Sequence, residues 1–226
     1  VGKITILNDT TKEPIEMIGR MAGLCWGSDT EDFNKNYKRG LNCIKANHGR
    51  TLEYPQIYIE FEGYSARVIR ELYTHIGSLP SRLQESTRYM DFSSFEFVTP
   101  PSIQKNSKAE KIYKNCMKEI SNVITQLNEL GVKREDSAML LPLAMETKVI
   151  MRTNLRHLVD MSHQRLCSRA YWEFRELFKD LMEALSNYSN EWRILIKELK
   201  IFKPKCEMLG YCPELKSCGR KEKKEV

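Results

Sequence analysis

Two arginine-rich segments hold the residue types best suited to chemistry. The first is Ser81-Arg82-Leu83-Gln84-Glu85-Ser86-Thr87-Arg88-Tyr89. Ser86 and Arg88 stand two residues apart, a spacing that suits a phosphate. The hydroxyl donates one hydrogen bond and the guanidinium fork adds two charge-assisted ones. The same spacing also fits a solvated loop with a helix cap. The second segment is Asn154-Leu155-Arg156-His157-Leu158, followed by His163-Gln164-Arg165-Leu166-Cys167-Ser168-Arg169-Ala170-Tyr171-Trp172-Glu173-Phe174-Arg175. Arg165 and Arg169 share a face if the helix continues that far, and Arg156 and Asp160 form an i,i+4 pair of the ordinary surface kind. Arginines beside Tyr171 and Trp172 fit either a ligand site or stacking at a subunit contact.

Other familiar chemistry is missing from the sequence. It has no GxGxxG, no P-loop and no GxSxG. None of His48, His75, His157 and His163 lies in HExxH or at another zinc spacing, so no histidine metal site is expected. Cys206, Cys212 and Cys218 recur with five residues between neighbours. Structural zinc sites favour CxxC pairs and four ligands, so packed, reduced thiols are the expectation there and a metal the minority reading. Cys25, Cys43, Cys116 and Cys167 stand singly among apolar residues, as buried thiols of a reducing compartment do.

Length and charge bound the rest. The chain has 226 residues, 41% of them hydrophobic, enough for one domain with a large core. The expected division is a single domain over 1–200 and a Cys-containing basic extension over 201–226. Of the net charge of +6, residues 216–226 supply half: Lys216, Arg220, Lys221, Lys223 and Lys224 stand against Glu222 and Glu225. The body is near balance, which argues against a nucleic-acid partner and leaves room for a local basic pocket that takes an anionic small molecule. The end after Cys218 reads as a disordered tail. No apolar run approaches about 18 residues, and the first ten residues carry no signal-like run, so a cytoplasmic protein without a membrane partner is expected.

The elements that must position these residues follow from periodicity. Strands are predicted at 3–7, 56–62, 95–98 and 147–151, helices at 13–24, 64–76, 106–130, 134–141, 170–185 and 192–199, and one more from Asn154. Another helix is predicted from a cap at Ser28 to about Ala46, with Gly49 in the C′ role. In the 64–76 helix, Arg67, Arg70, Glu71 and Thr74 form a polar stripe opposite Val68, Ile69 and Leu72. Few strands among long helices make an α/β (α+β) protein, not a regular βαβ series.

At the two arginine segments the sequence resembles the flavin-dependent thymidylate synthase family. Its C-terminal block is well kept as Asn154-Leu155-Arg156-His157-Leu158, Gln164-Arg165 and Ala170-Tyr171-Trp172-Glu173. Leu141-Pro142-Leu143 matches a Leu-Pro-Leu step, and His48-Gly49 with Thr51-Leu52-Glu53 resembles the family's HGHxTPFEH region. The family's RHRxxSxNxxSxRY signature is half present. Ser81, Ser86, Arg88 and Tyr89 match it, whereas Thr74-His75-Ile76 replaces Arg-His-Arg and Leu83 replaces Asn. Gln84 stands at a carboxylate position, Ala138 at a basic one, and Asp160 where Asn is frequent. The resemblance runs from about residue 13 to 185.

The resemblance implies a small mixed or antiparallel sheet flanked by long helices. It implies reductive methylation of dUMP to dTMP with methylenetetrahydrofolate as carbon donor, FAD as cofactor and NADPH as reductant, in a homotetramer whose active sites lie at subunit contacts. Arg165 matches the catalytic, uracil-facing arginine. Ser86 and Arg88 match the phosphate and ribose side, with Gln84 beside them; Arg67, Arg70 or Arg82 is placed to supply replacement charge, and Glu71 stands beside Arg70 on the polar stripe. Thr51, Glu53, His75, Asn154, Arg156 and Asp160 align with flavin contacts. No cysteine nucleophile is implied, and Cys167 reads as a structural thiol. The altered signature leaves two other readings open: a family variant that methylates or hydroxymethylates UMP or dUMP, and a non-catalytic nucleotide- or RNA-binding homologue.

Overall fold

A computed structural model of the chain describes residues 2–224. Strands Lys3–Ile6 (β1), Gln56–Ser65 (β2), Ser81–Gln84 (β3) and Glu146–Asn154 (β4) form one sheet in the order β1-β2-β4-β3. Along β2, Ile57, Ile59 and Phe61 are buried, and along β4, Thr147, Val149, Met151 and Thr153 are. That period of two is the reason both sequences pleat. The expected small sheet among long helices is therefore present. The chain divides into two compact units, one of Val1–Lys3, Phe61–Thr74 and Leu83–Ile150, the other of Ile4–Glu60, His75–Arg82 and Met151–Val226.

In the first unit, Ser65 caps helix Ala66–Tyr73 by accepting from Val68 N at 3.2 Å. Ala66 N and Arg67 N donate to the Met145 and Leu143 carbonyls at 2.8 and 2.9 Å, which fixes where the helix starts. It therefore begins two residues later than periodicity suggests. Val68, Ile69 and Leu72 are buried, as the polar-stripe reading requires. Asn106 caps the long helix Ser107–Glu129, donors Lys108 N and Ala109 N reaching its Oδ1. The strand expected at 95–98 shrinks to one bridge between Phe97 and Met145. Phe97 instead packs edge-to-face on Phe95 and Tyr113, at 6.5 and 5.9 Å, so aromatic packing takes the place of a ladder.

In the second unit, helices Pro14–Leu24 and Phe33–Lys45 meet backbone to backbone. A Cβ at Gly19 would lie 1.8 Å from the Asn36 carbonyl oxygen, and one at Gly40 1.9 Å from that of Ile15, so no other residue fits either place. Glu191 Oε2 accepts from Ile15 N at 2.6 Å and Glu16 N at 3.2 Å, satisfying two orphan donors at the first helix's start. The second helix starts at Phe33, not at Ser28: Asp32 Oδ1 takes the cap bond from Lys35 N at 3.0 Å, while Asp29 serves a separate turn through Glu31 N. It ends at Ala46, and Asn47 (φ 57°), not Gly49, adopts the left-handed conformation. Asn tolerates that region, which leaves Gly49 another use. Helices Leu155–Arg165 and Trp172–Tyr188 bury Leu155, Leu158, Phe174, Leu177, Phe178, Leu181 and Leu185. The first of them ends at Arg165, so Arg169 does not share its face.

All seven cysteines are free thiols; Cys43, Cys206 and Cys212 are buried, whereas Cys25 and Cys116, expected to be buried, are exposed and Cys167 is half-buried. The tail departs from its sequence reading. Cys206 sits in helix Lys205–Leu209, and residues 212–223 close into a hydrogen-bonded loop through Cys212 N to the Glu222 carbonyl at 2.7 Å. Glu225, counted above in the tail's charge, lies outside the described residues. No helix among the described residues is long and apolar enough to cross a membrane.

Candidate active site

The Leu155–Arg165 helix is the site's scaffold. Asn154 Oδ1 accepts from His157 N at 3.0 Å and starts it, so this amide oxygen has an N-cap role. At the other end, Arg165 Nε donates to His75 Nε2 at 2.7 Å, and the guanidinium lies 4.5 Å from the Phe174 ring centroid. A ring nitrogen that accepts from a guanidinium is unprotonated, so His75 is neutral with its proton on Nδ1. Burial, then the charge of Arg165, then His157 and Arg82, hold His75 down at about 4. The rest of its surroundings are aromatic. Phe174 meets it at 5.7 Å and His157 at 6.3 Å, both edge-on.

His157 is 3% exposed. Burial first, then Arg82, pushes it toward the neutral form, against a hydrogen bond to the Gly77 backbone and the charge of Asp160. Its Nε2 is buried without a hydrogen-bond partner. Arg82 donates to the His75 carbonyl, which fixes the backbone at that residue. The turn that follows is irregular: Ser78 and Leu79 take positive φ values of 58° and 47°. Two cations and two neutral imidazoles thus share one corner.

Gly49 begins the short helical turn Gly49–Glu53 and lies under Arg156. A Cβ there would stand 1.6 Å from Arg156 Nη1, which is the use Gly49 has instead of a helix stop. Arg156 Nε also donates to Asp160 Oδ2 at 3.0 Å, across a half-exposed i,i+4 pair. Thr51 Oγ1 donates to the His48 carbonyl at 2.7 Å, and Glu53 is exposed. Thr51, Glu53, His75, Asn154, Arg156, Asp160 and Arg165 all belong to this unit. The structure brings His75 to Arg165 and Asp160 to Arg156.

Arg70, Glu71, Gln84, Ser86 and Arg88 belong to the other unit. Arg70 and Glu71 line a cavity of about 280 Å³ with Arg67, Thr74 and Leu143. Gln84 Nε2 donates to Thr147 Oγ1 at 3.2 Å. Ser86 Oγ accepts from Arg88 N at 3.2 Å, so hydroxyl and arginine share one turn, as their spacing suggests. Arg88 Nε donates to Glu135 Oε2 at 3.0 Å and the guanidinium lies over Tyr89 at 5.7 Å.

Sequence reasoning did not single out His157, Phe174 or Glu135. The first two carried a signal, since His157 sits inside the well-kept second block and Phe174 directly follows it. Glu135 carried none; only the fold brings it to Arg88.

The donor set is made of guanidinium forks, neutral imidazoles, an aromatic face and hydroxyls. Among the described residues no three of His, Cys, Asp and Glu are grouped to hold a metal ion. On a small sheet with long helices, such groups make an α/β protein suited to anionic ligands, held through positioning and charge. Comparison narrows this. The model of the thymidylate synthase complementing protein family matches residues 6–188. The flavin-dependent thymidylate synthase of Pyrococcus furiosus is 32% identical, over 94% of this chain and 89% of the relative. That of Nitratidesulfovibrio vulgaris is 31% identical, over 78% and 73%. A crystal structure of Thymidylate Synthase X from Helicobacter pylori, with FAD and dUMP, has the same fold, with a TM-score of 0.64 at 20% identity over 85% of this chain and 96% of that one. The chain belongs to the flavin-dependent thymidylate synthase family.

Proposed function

We propose that this protein is a thymidylate synthase that converts dUMP to dTMP, taking its carbon from methylenetetrahydrofolate and its reducing equivalents from NADPH through FAD. The observation that carries the reading is Arg165. Its guanidinium is held by a neutral imidazole on one side and an aromatic face on the other, at the place of the family's uracil-facing arginine.

Carbon 5 of uracil is a weak nucleophile that must be made electron-rich before it attacks, and the negative charge this builds on the pyrimidine oxygens must be stabilised. A fixed guanidinium stabilises that charge without titrating, and needs no reorganisation at the moment of reaction. His75 takes part by aiming Arg165, and Phe174 keeps water from one face of the fork. Ser86 and Arg88 hold the 5′-phosphate, with Gln84 as a neutral hydrogen-bonding neighbour; Arg70 and Glu71 stand by as further polar contacts.

The residues present suit FAD. Arg156, over the Gly49 backbone, is a cation for a pyrophosphate. The unpartnered Nε2 of buried His157 is a polar atom waiting for a group to meet. Thr51, Glu53, His75, Asn154 and Asp160 complete the set that would hold it. When bound and reduced by NADPH, the flavin would supply hydride to the transferred one-carbon unit. The working unit is a homotetramer in which neighbouring chains complete each site, and it acts in the cytoplasm.

The test is turnover. Purified protein with FAD, methylenetetrahydrofolate and NADPH is given dUMP tritiated at carbon 5, with UMP in parallel. Release of tritium and formation of dTMP from dUMP alone is the expected result. A protein that retains no flavin band near about 450 nm after FAD loading and gel filtration, and shows no tritium release, overturns the reading.

A further inference from the structure

A cavity of about 380 Å³, within the size range of small-molecule sites, lies past the end of the Leu155–Arg165 helix. One wall comes from residues 163–170, the other from Lys205, Lys216, Lys221 and their neighbours in the C-terminal segment. That second wall is built into the fold. Ser217 Oγ donates to the Lys221 carbonyl at 2.7 Å, inside the loop that Cys212 N closes. Arg220 Nη1 reaches the Leu166 carbonyl at 3.1 Å, and Arg169 pairs with Glu214 at 3.3 Å, so two contacts fasten the loop to the end of the helix.

The charge is one-sided. Glu214 is the sole carboxylate on the lining, and Arg169 already holds it. Burial keeps His163, also on the lining, toward the neutral form. Lys205, Lys216 and Lys221 remain as cations around one space, with no ion pair among the described residues. Like charges gathered around one concave space focus a positive potential and favour a multiply charged anion. Arg165 fixes where such an anion's reacting end would lie, because its fork is held at His75.

We propose that this pocket binds the multiply anionic arm of a co-substrate whose reacting end lies beside Arg165. Two sources have that chemistry: the γ-linked glutamate carboxylates of a folate, and the 2′-phosphate end of a reduced pyridine nucleotide. The choice of these two molecules rests on the thymidylate synthase reading; the charge of the pocket does not. The C-terminal loop, beyond the stretch matched by the family model, thereby becomes part of a ligand site.

The test is calorimetric titration of the FAD-loaded chain with two probes, penta-γ-glutamate and adenosine 2′,5′-bisphosphate. Involving no turnover, it reads the pocket whether or not the chain methylates dUMP. At least one probe is expected to bind, more weakly as salt is raised. The double variant Lys216→Ala/Lys221→Ala is expected to lose about tenfold or more in affinity, since two charge-assisted contacts go. The variant Lys216→Arg/Lys221→Arg, which keeps both charges, is expected to restore binding and so rules out a collapsed loop as the cause. The probe that binds identifies the source. If neither probe binds, or if the double alanine variant binds as tightly as the parent, the proposal is wrong.

Discussion

Arg165 donates its Nε proton to His75 Nε2 at 2.7 Å, so the arginine's fork is aimed by a base that must stay neutral. This relationship makes the two residues separable by mutation. Arg165→Ala removes the charge as well as the aim, and dTMP formation is expected to fall about 10²–10³-fold in kcat. Arg165→Lys keeps a charge but not a fork, and a smaller though still large loss is expected. His75→Gln offers an acceptor oxygen to the same Nε and is expected to retain more activity than His75→Ala. Equal activity in these two His75 variants would show that aim is not what His75 supplies.

The same bond sets a pH dependence. His75 titrates at about 4 in the folded chain, below the usual 6.5 for an imidazole. Between those values the unfolded chain binds a proton that the folded chain does not. Stability is therefore complete above about pH 6.5 and is lost as pH falls toward 4, by about 1–2 kcal/mol after allowance for the ring's partial exposure. His157 and His163, also held down by burial, act in the same direction. Urea midpoints at pH 7 and pH 5 measure the loss. His75→Gln is expected to shrink it; an undiminished loss in that variant would assign the effect to the other two histidines.

Much of this was legible in the residues, and the reasons for the rest are physical. Helix spacing gave the two faces of Ala66–Tyr73, and the Asn154 cap was readable from its type and place. The end of Phe33–Lys45 near Ala46 was legible too, but the left-handed residue past it was not, because Asn47 suits that region as well as Gly49 does and is the one that takes it. The pairing of Arg165 with His75 spans 90 residues, and that of Arg88 with Glu135 spans 47. Periodicity carries no information at that range. The end after Cys218 looked disordered because its charge suggested solvent; its order comes from Cys212 N meeting the Glu222 carbonyl, Ser217 the Lys221 carbonyl and Arg220 the Leu166 carbonyl.

Arg88 is shared between Glu135 and the phosphate it is proposed to hold. The pair is half exposed, at 3.0 Å, and is worth little to stability. Arg88→Ala is thus expected to raise the KM for dUMP about 10- to 100-fold, with an unfolding midpoint close to the parent's. Glu135→Gln releases the guanidinium and is expected to leave KM unchanged or lower it. A Glu135→Gln variant with a KM raised as far as that of Arg88→Ala would mean the ion pair itself is the functional unit.

The close approach of Pro14–Leu24 and Phe33–Lys45 gives a stability prediction. The atom that a Cβ at Gly19 would meet is backbone, the Asn36 carbonyl oxygen at 1.8 Å, so relief requires the helices to separate. Gly19→Ala is expected to destabilise the chain by about 2 kcal/mol or more, despite alanine's better helix propensity. Chemical denaturation reads this directly. A neutral or stabilising result would mean the two helices slide apart without cost.

Gly49 poses the opposite case, because the atom a Cβ there would meet is the far end of a flexible side chain. Arg156 can swing away from an alanine, and its bond to Asp160 is a half-exposed one that costs little to lose. Gly49→Ala is therefore expected to leave the unfolding midpoint nearly unchanged. If Arg156 holds an anionic group of FAD from its place over the Gly49 backbone, the same substitution displaces the cation and weakens FAD binding, by about fivefold or more. Flavin fluorescence titration of the Gly49→Ala and Arg156→Ala variants separates the effects: both are expected to bind FAD less well, and in the double variant the losses should not add, since one removes what the other misplaces. Additive losses would place Gly49 and Arg156 in separate contacts with the cofactor.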